Sequence, residues 1–84
     1  MNILAYDLDG TLIEADGSPI AEKINRLNSE FENGNNFIVI YTARSYNIFH
    51  ETRKILLDLG IKHHALVMEK IRATCYIDDK ARAP

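Results

Sequence analysis

Acidic, hydroxyl-bearing and basic side chains follow the ends of short apolar runs in this 84-residue chain. Asp7 and Asp9 come directly after the first run, and a second acidic pair, Asp78 and Asp79, comes directly after the last. Burying a carboxylate beside an apolar strand is costly, so this repeated placement needs a chemical reason. The other polar residues at the ends of runs are Thr11, Thr42, Arg44 and Lys70.

These residue types together point to phosphate chemistry. Oxygen ligands gathered in one place suit Mg²⁺, which keeps several waters and shares its other positions with a substrate phosphate. A carboxylate beside such an ion can act as a nucleophile and form an acyl phosphate. Lys70, Arg44 and the Thr42 hydroxyl would then hold phosphoryl oxygens and offset the charge on the group being transferred.

The apolar runs are the predicted strands. They cover Ile3–Tyr6, Phe37–Tyr41, Ala65–Met68 and Cys75–Ile77. Because the runs are continuous rather than alternating, they predict strands covered on both faces, as in a parallel sheet. Ligands of such sheets bind beyond the carboxyl ends of the strands, where the polar residues fall. Only six residues separate the last two runs, too few for an ordinary crossover helix.

Two helices are predicted between the strands. The first begins with Ser18 as N-cap and Pro19 in the first turn, and Gly34 ends it. Its apolar stripe consists of Ile20, Ile24, Leu27 and Phe31. The second helix covers about residues 46–59, and Gly60 ends it.

Before the first helix, Asp16 and Gly17 form a turn pair that could close a small hairpin. The resulting order is strand, hairpin, helix, strand, helix, strand, strand. This order predicts an α/β protein with a mainly parallel sheet, in a single domain over residues 1–84.

Composition excludes several other classes of protein. The net charge of −2 comes from ten basic and twelve acidic residues that are well mixed, which argues against nucleic acid or an anionic membrane as the main partner. The single cysteine, Cys75, excludes an internal disulfide and fits a reducing compartment. No run has the length of a membrane span and no secretory signal opens the chain, so we expect a cytoplasmic protein.

Four segments together resemble the haloacid dehalogenase superfamily of phosphohydrolases. "DLDGTL" at residues 7–12 is similar to the first motif of that family, and Thr42, Lys70 and the acidic pair complete its pattern in order. "YTAR" at residues 41–44 and "KIRATCYIDDKA" at residues 70–81 are similar to segments of a group of small, uncapped members. Ile71 departs from that group, which usually has proline there.

The resemblance implies a three-layer Rossmann-like fold and a Mg²⁺-dependent phosphatase. Asp7 would be the nucleophile, and Asp9 would be the general acid and then the base that activates water. Mg²⁺ would be held by Asp7, by the Asp9 backbone carbonyl and by Asp79 or Asp78. Lys70 would orient the nucleophile and hold the phosphate. The further candidates for phosphate binding are Gly10, Thr11, Thr42, Ala43 and Arg44.

Each connection where this family inserts a cap domain is short here, so the resemblance implies a minimal, uncapped core. An open site predicts a phosphate on a larger molecule or a partner subunit that serves as a lid, and the residues do not select among phosphorylated substrates. The sequence ends at Pro84, where relatives continue. A minimal member, a fragment and a protein completed by homo-oligomerisation are the alternatives.

Other interpretations of the same residues remain open. Thr42 could be a helix N-cap, Arg44 could form a surface salt bridge, and Lys70 could be solvated, with Arg72 competing for its role. The histidines are interpreted as surface or capping residues rather than metal ligands. At the level of function, the alternative is a non-catalytic phosphate-binding or phospho-acceptor module, including a truncated remnant of the family.

Overall fold

The computed structural model describes residues 1–71, which form three strands and two helices in alternating order. The elements are β1 (Asn2–Tyr6), α1 (Ala21–Glu32), β2 (Asn36–Tyr41), α2 (Phe49–Asp58) and β3 (Ala65–Val67). A single 3-10 turn, Tyr46–Ile48, leads into α2. The predicted strand Cys75–Ile77 and the pair Asp78 and Asp79 lie outside the described residues.

The strands form a parallel sheet in the order β1-β2-β3. In this register Tyr6 lies beside Ile40, and Tyr41 lies beside Val67, so the carboxyl ends of all three strands meet at one edge. The parallel α/β architecture predicted from the apolar runs is confirmed for residues 1–71. Neither helix in this part of the chain is long or apolar enough to cross a membrane.

Both helices contribute to one core on the same face of the sheet. Ile24 and Leu27 of α1 and Leu56 of α2 cluster with Ile38 and Ile40 of β2, and all five are nearly inaccessible to solvent. Each crossover connects a strand to its next neighbour, and both move across the sheet in the same direction. Two right-handed crossovers in the same direction place their helices on the same side of the sheet, which accounts for this arrangement.

The opposite face of the sheet is less covered than the sequence predicts. Ile3 of β1 is 73% exposed, Ala5 is exposed, and Val67 of β3 is 40% exposed. Burial on both faces was predicted from the continuous apolar runs, and within residues 1–71 it is wrong for β1. The physical reason is that both helices of the described chain pack on the other face.

The segment between β1 and α1 closes a hairpin, as its Asp-Gly pair predicts. Ile13 pairs antiparallel with Pro19, and Gly17 in the turn has a φ of 88°. The Asp16 carboxylate accepts hydrogen bonds from the Ser18 hydroxyl at 2.6 Å and the Ser18 N–H at 2.9 Å. These bonds stabilise the charged form and lower the pKa of Asp16.

The predicted N-cap of α1 is therefore wrong. Ser18 belongs to the hairpin turn, and α1 begins at Ala21 after Ile20, which makes no side-chain capping bond. A serine followed by proline suits a hairpin as well as a helix start, because proline can lie at an edge position that donates no hydrogen bond. The predicted end is confirmed, since Gly34 follows α1 with a φ of 79°.

The second helical segment matches its prediction more closely. Ser45 caps its 3-10 turn by accepting a hydrogen bond from the Asn47 N–H at 3.2 Å. Thr52 and Leu56 are fully buried on the inner side of α2, and Gly60 ends the segment with a φ of 66°. The helix therefore starts directly after the loop that carries Thr42 and Arg44.

The ring of His64 has a structural role at the start of β3. Its Nδ1 accepts a hydrogen bond from the Ile38 N–H at 2.9 Å. The ring stacks with Phe31 at 4.4 Å and with Phe37 at 4.9 Å between ring centroids. These contacts, and the exposure of the residue, agree with the interpretation of this histidine as a surface or capping residue.

Candidate active site

The first loop of the site begins where β1 ends. The burial of Leu8 between the two acids explains why they are one residue apart. Leu8 is fully buried in the core cluster, whereas Asp7 is half-buried and Asp9 is exposed. Leu8 enters the core at the bend after β1, and the carboxylates on either side of it are left accessible. The two acids are thus presented together at the carboxyl edge of the sheet.

A tight turn fixes the backbone after Asp9. The Leu8 carbonyl accepts hydrogen bonds from the N–H groups of Leu12 at 2.9 Å, Thr11 at 3.2 Å and Ile13 at 3.2 Å. Gly10 has a φ of 82°, which a residue with a Cβ adopts only at a cost, and its N–H donates to the Ile13 carbonyl at 2.8 Å. Because the N–H groups of Gly10 and Thr11 donate within the turn, the Thr11 hydroxyl is its candidate phosphate contact.

Arg44 and Asp9 form a two-pronged ion pair across the site. The Arg44 Nε lies 2.9 Å from Oδ2 of Asp9, and the second guanidinium bond, to Oδ1, is 2.8 Å long. This hydrogen bonding raises the pKa of Arg44, and the negative charge of Asp9 adds to the effect. Arg44 does form a salt bridge, as one interpretation of the sequence held, but its partner is the candidate acid of the site.

Thr42 is 1% exposed at the end of β2. Its hydroxyl accepts a hydrogen bond from the Arg44 N–H at 3.2 Å, so it shapes its own loop, and Ser45 serves as the helix cap instead. A hydroxyl that accepts here still has its proton to donate, and a phosphoryl oxygen would be a suitable acceptor. The half-buried Ala43 lies between these two residues.

The loop after β3 lies against the loop after β2. The Thr42 N–H donates to the Val67 carbonyl, and the Thr42 carbonyl accepts from the Lys70 N–H, each at 2.9 Å. The Lys70 ammonium lies 5.3 Å from the centroid of the Tyr41 ring, which is within the range of a cation–π contact. Lys70 and Thr42 are therefore neighbours, as the sequence predicts.

The predicted site is brought together in part. Asp9, Arg44, Thr42 and Lys70 are linked by the contacts above, whereas Lys70 forms no ion pair with Asp7 among the described residues. The Asp7 carboxylate instead accepts a hydrogen bond from the neighbouring Leu8 N–H at 3.0 Å. The catalytic roles of these residues stay predictions.

Two of the four predicted metal ligands, Asp7 and Asp9, lie among the described residues. Residues 1–71 contain no group of three or more acidic, histidine or cysteine side chains that could hold a metal ion, and the remaining predicted ligands, Asp78 and Asp79, lie outside this range. The Asp7 carboxylate and the Asp9 carbonyl are hard oxygen donors of the type that Mg²⁺ takes. These two donors fit the ion, which usually binds through one or two carboxylates together with waters and phosphate.

Two residues of the site were missed by reasoning from the sequence. Tyr41 was assigned to a strand, but its ring lies under Lys70. Glu69 was not singled out, but its carboxylate accepts a hydrogen bond from the Tyr46 N–H at 3.1 Å. The position of Tyr41 directly before Thr42 was a usable signal, whereas nothing in the sequence marks Glu69.

Comparison with known families agrees with this geometry. The profile of the haloacid dehalogenase-like hydrolase family matches residues 4–70, most of the chain. The chain therefore belongs to this family of hydrolases, and its small parallel α/β core is a minimal Rossmann-like form of the fold. No curated protein and no solved structure shows significant similarity to it.

Proposed function

We propose that the chain is a Mg²⁺-dependent phosphatase that hydrolyses a phosphate monoester through an aspartyl-phosphate on Asp7. The observation that carries the proposal is the Asp9–Arg44 pair beside Asp7, with Thr42 and Lys70 held together at the same edge. A nucleophile and an acid on one loop, with phosphate-binding groups on two neighbouring loops, are what such a reaction requires.

In the first proposed step, a carboxylate oxygen of Asp7 attacks the phosphorus atom. The bond from phosphorus to the ester oxygen breaks, and Asp9 donates a proton to that oxygen as the alcohol leaves. In the second step Asp9 takes a proton from water, and the resulting hydroxide attacks phosphorus. The bond from phosphorus to Asp7 breaks, which releases inorganic phosphate and restores the carboxylate.

Arg44 would change partners during this cycle. In the structure its guanidinium binds both carboxylate oxygens of Asp9. Guanidinium also matches phosphate oxygens in a bidentate manner, so an incoming phosphoryl group competes for it. Transfer of Arg44 to the substrate would leave Asp9 to handle protons, while the Thr42 hydroxyl and Lys70 ammonium bind other phosphoryl oxygens.

Mg²⁺ bound by Asp7 and the Asp9 carbonyl would neutralise charge on the phosphoryl group. Asp78 or Asp79 is the proposed additional ligand. The substrate is proposed to be a phosphate on a small or a larger molecule, because neither connection in residues 1–71 holds a separate cap domain. From the sequence we further propose that the protein is cytoplasmic. We also propose that a second copy of the chain covers the open site.

The test is release of phosphate from an aryl phosphate with Mg²⁺ present. We expect Asp7→Asn to lower kcat by about a thousandfold or more, because losses of this order follow removal of a nucleophile. Asp58→Asn, a matched change of an exposed acid that pairs with Lys54 on α2, should keep the native rate. Native-like release by folded Asp7→Asn would contradict the proposal, and stable phosphorylation without release would favour a phospho-acceptor module.

A further inference from the structure

Glu69 adopts a backbone conformation that its residue type disfavours. Its φ is 59°, and it is the only residue other than glycine with a positive φ among residues 1–71. A Cβ makes the left-handed region costly, and glycine or asparagine is the usual choice there. A glutamate held in this conformation beside a candidate catalytic lysine indicates that surrounding contacts enforce it.

The backbone N–H and the side-chain carboxylate of Glu69 both contact the loop that follows β2. Its N–H donates to the Arg44 carbonyl at 2.9 Å, and its Oε2 accepts from the Tyr46 N–H at 3.1 Å. The Tyr46 N–H belongs to the first turn of the 3-10 segment, where backbone donors have no partner within the helix. A carboxylate is a strong acceptor at such a position, because the helix terminus carries partial positive charge.

The left-handed turn at Glu69 also determines where Lys70 lies. After this residue the chain turns so that the Lys70 N–H donates to the Thr42 carbonyl at 2.9 Å. The Lys70 side chain then lies over the Tyr41 ring. The backbone positions of Lys70 and Arg44 are therefore tied to each other through a single residue.

We infer that Glu69 is a positioning residue that fastens the loop after β3 to the loop after β2 and so places Lys70 and Arg44 for phosphate binding. The inference rests on the proposed function for its kinetic consequence alone. A turn without this role would be served as well by glycine, which adopts the conformation freely but lacks the carboxylate that binds Tyr46.

Three substitutions separate the side-chain contact from the backbone conformation. Glu69→Gln keeps an oxygen that can accept from the Tyr46 N–H, Glu69→Ala removes it, and Glu69→Gly removes it while relieving the backbone cost. Glu22→Gln is the matched loss of an acidic charge, at an exposed position in the first turn of α1.

We expect Glu69→Ala to lower kcat about tenfold or more for an aryl phosphate with Mg²⁺, since small misplacements of catalytic groups have effects of this size. KM should change less, because Lys70 and Arg44 keep their charges. Glu69→Gly should also have a lower kcat than the native chain, even if its melting temperature is native or higher. Glu69→Gln should restore most of kcat, and Glu22→Gln should not change it.

Amide hydrogen exchange provides a readout that needs no turnover. In Glu69→Ala and Glu69→Gly, exchange at the N–H of Tyr46 should be at least about tenfold faster than in the native chain, whereas Glu69→Gln should protect it. Native exchange in Glu69→Ala, or native kcat in Glu69→Gly, would overturn the inference. Faster exchange in Glu69→Ala, together with no phosphate release by the native chain, would instead support the positioning contact and contradict the proposed phosphatase.

Discussion

At the scale of single residues, the pair of Arg44 and Asp9 is the contact on which the proposed function depends most. The pair is partly exposed, with 21% of the Arg44 side chain and 51% of the Asp9 side chain accessible. Solvent screening limits the contribution of such a pair to about 1 kcal/mol or less of stability. The role proposed for the pair therefore depends on Arg44 binding an incoming phosphate, rather than on stabilising the fold.

Arg44→Gln should raise KM for an aryl phosphate about tenfold, because a charge-assisted bidentate contact to phosphate is lost. Arg44→Lys should recover part of this loss, since an ammonium keeps the charge but not the fork of donors. Steady-state kinetics and urea unfolding measure the two effects separately. Lys54→Gln breaks an exposed ion pair on α2 and is the control. An unchanged KM in Arg44→Gln would mean that Arg44 does not bind the substrate.

The site residues could be predicted from the sequence where their placement follows from strand ends. Asp7, Thr42 and Lys70 come after three different apolar runs, so parallel topology alone brings them to one edge. The contact between Asp9 and Arg44 could not be predicted in this way, because it depends on side-chain geometry across 35 positions of the chain. The left-handed conformation of Glu69 could not be predicted for a different reason, because glutamate rarely adopts it.

At the scale of elements, the strands were easier to predict than the starts of the helices. β1 and β2 each begin one residue before the predicted apolar run, and both end where that run ends. The start of α1 was misplaced because Ser18 and Pro19 fit two local structures, and the pairing of Pro19 with Ile13 decided between them. Local signals fix an element only when no tertiary contact competes for the same residues.

The packing of α1 gives a prediction at this scale. Leu27 is fully buried in the core cluster, so Leu27→Ala should lower the free energy of unfolding by about 2–5 kcal/mol. Leu57→Ala on α2 makes the same change at a side chain that is 64% exposed, and its effect should stay within about 0.5 kcal/mol. Urea unfolding of both variants provides the comparison. Equal losses would show that α1 does not pack as described.

At the scale of the whole molecule, the described chain builds its site from loops that follow three neighbouring strands. The loops after β2 and β3 are joined by backbone hydrogen bonds, whereas the loop after β1 reaches them through Asp9 and Arg44. The helices pack on one face of the sheet and leave this edge to the polar residues. The architecture thus explains why two acids follow a strand: they lie at the carboxyl edge of a parallel sheet, where such sheets bind their ligands.

The most direct test of the proposed phosphatase is mass spectrometry of the chain quenched during reaction with an aryl phosphate. Asp9→Asn should accumulate one phosphoryl group on the peptide that contains Asp7, because a good leaving group departs without a proton but hydrolysis lacks its base. The double variant Asp7→Asn with Asp9→Asn should carry none. A phosphoryl group on another residue, or none at all while phosphate is still released, would contradict the assignment of Asp7 as the nucleophile.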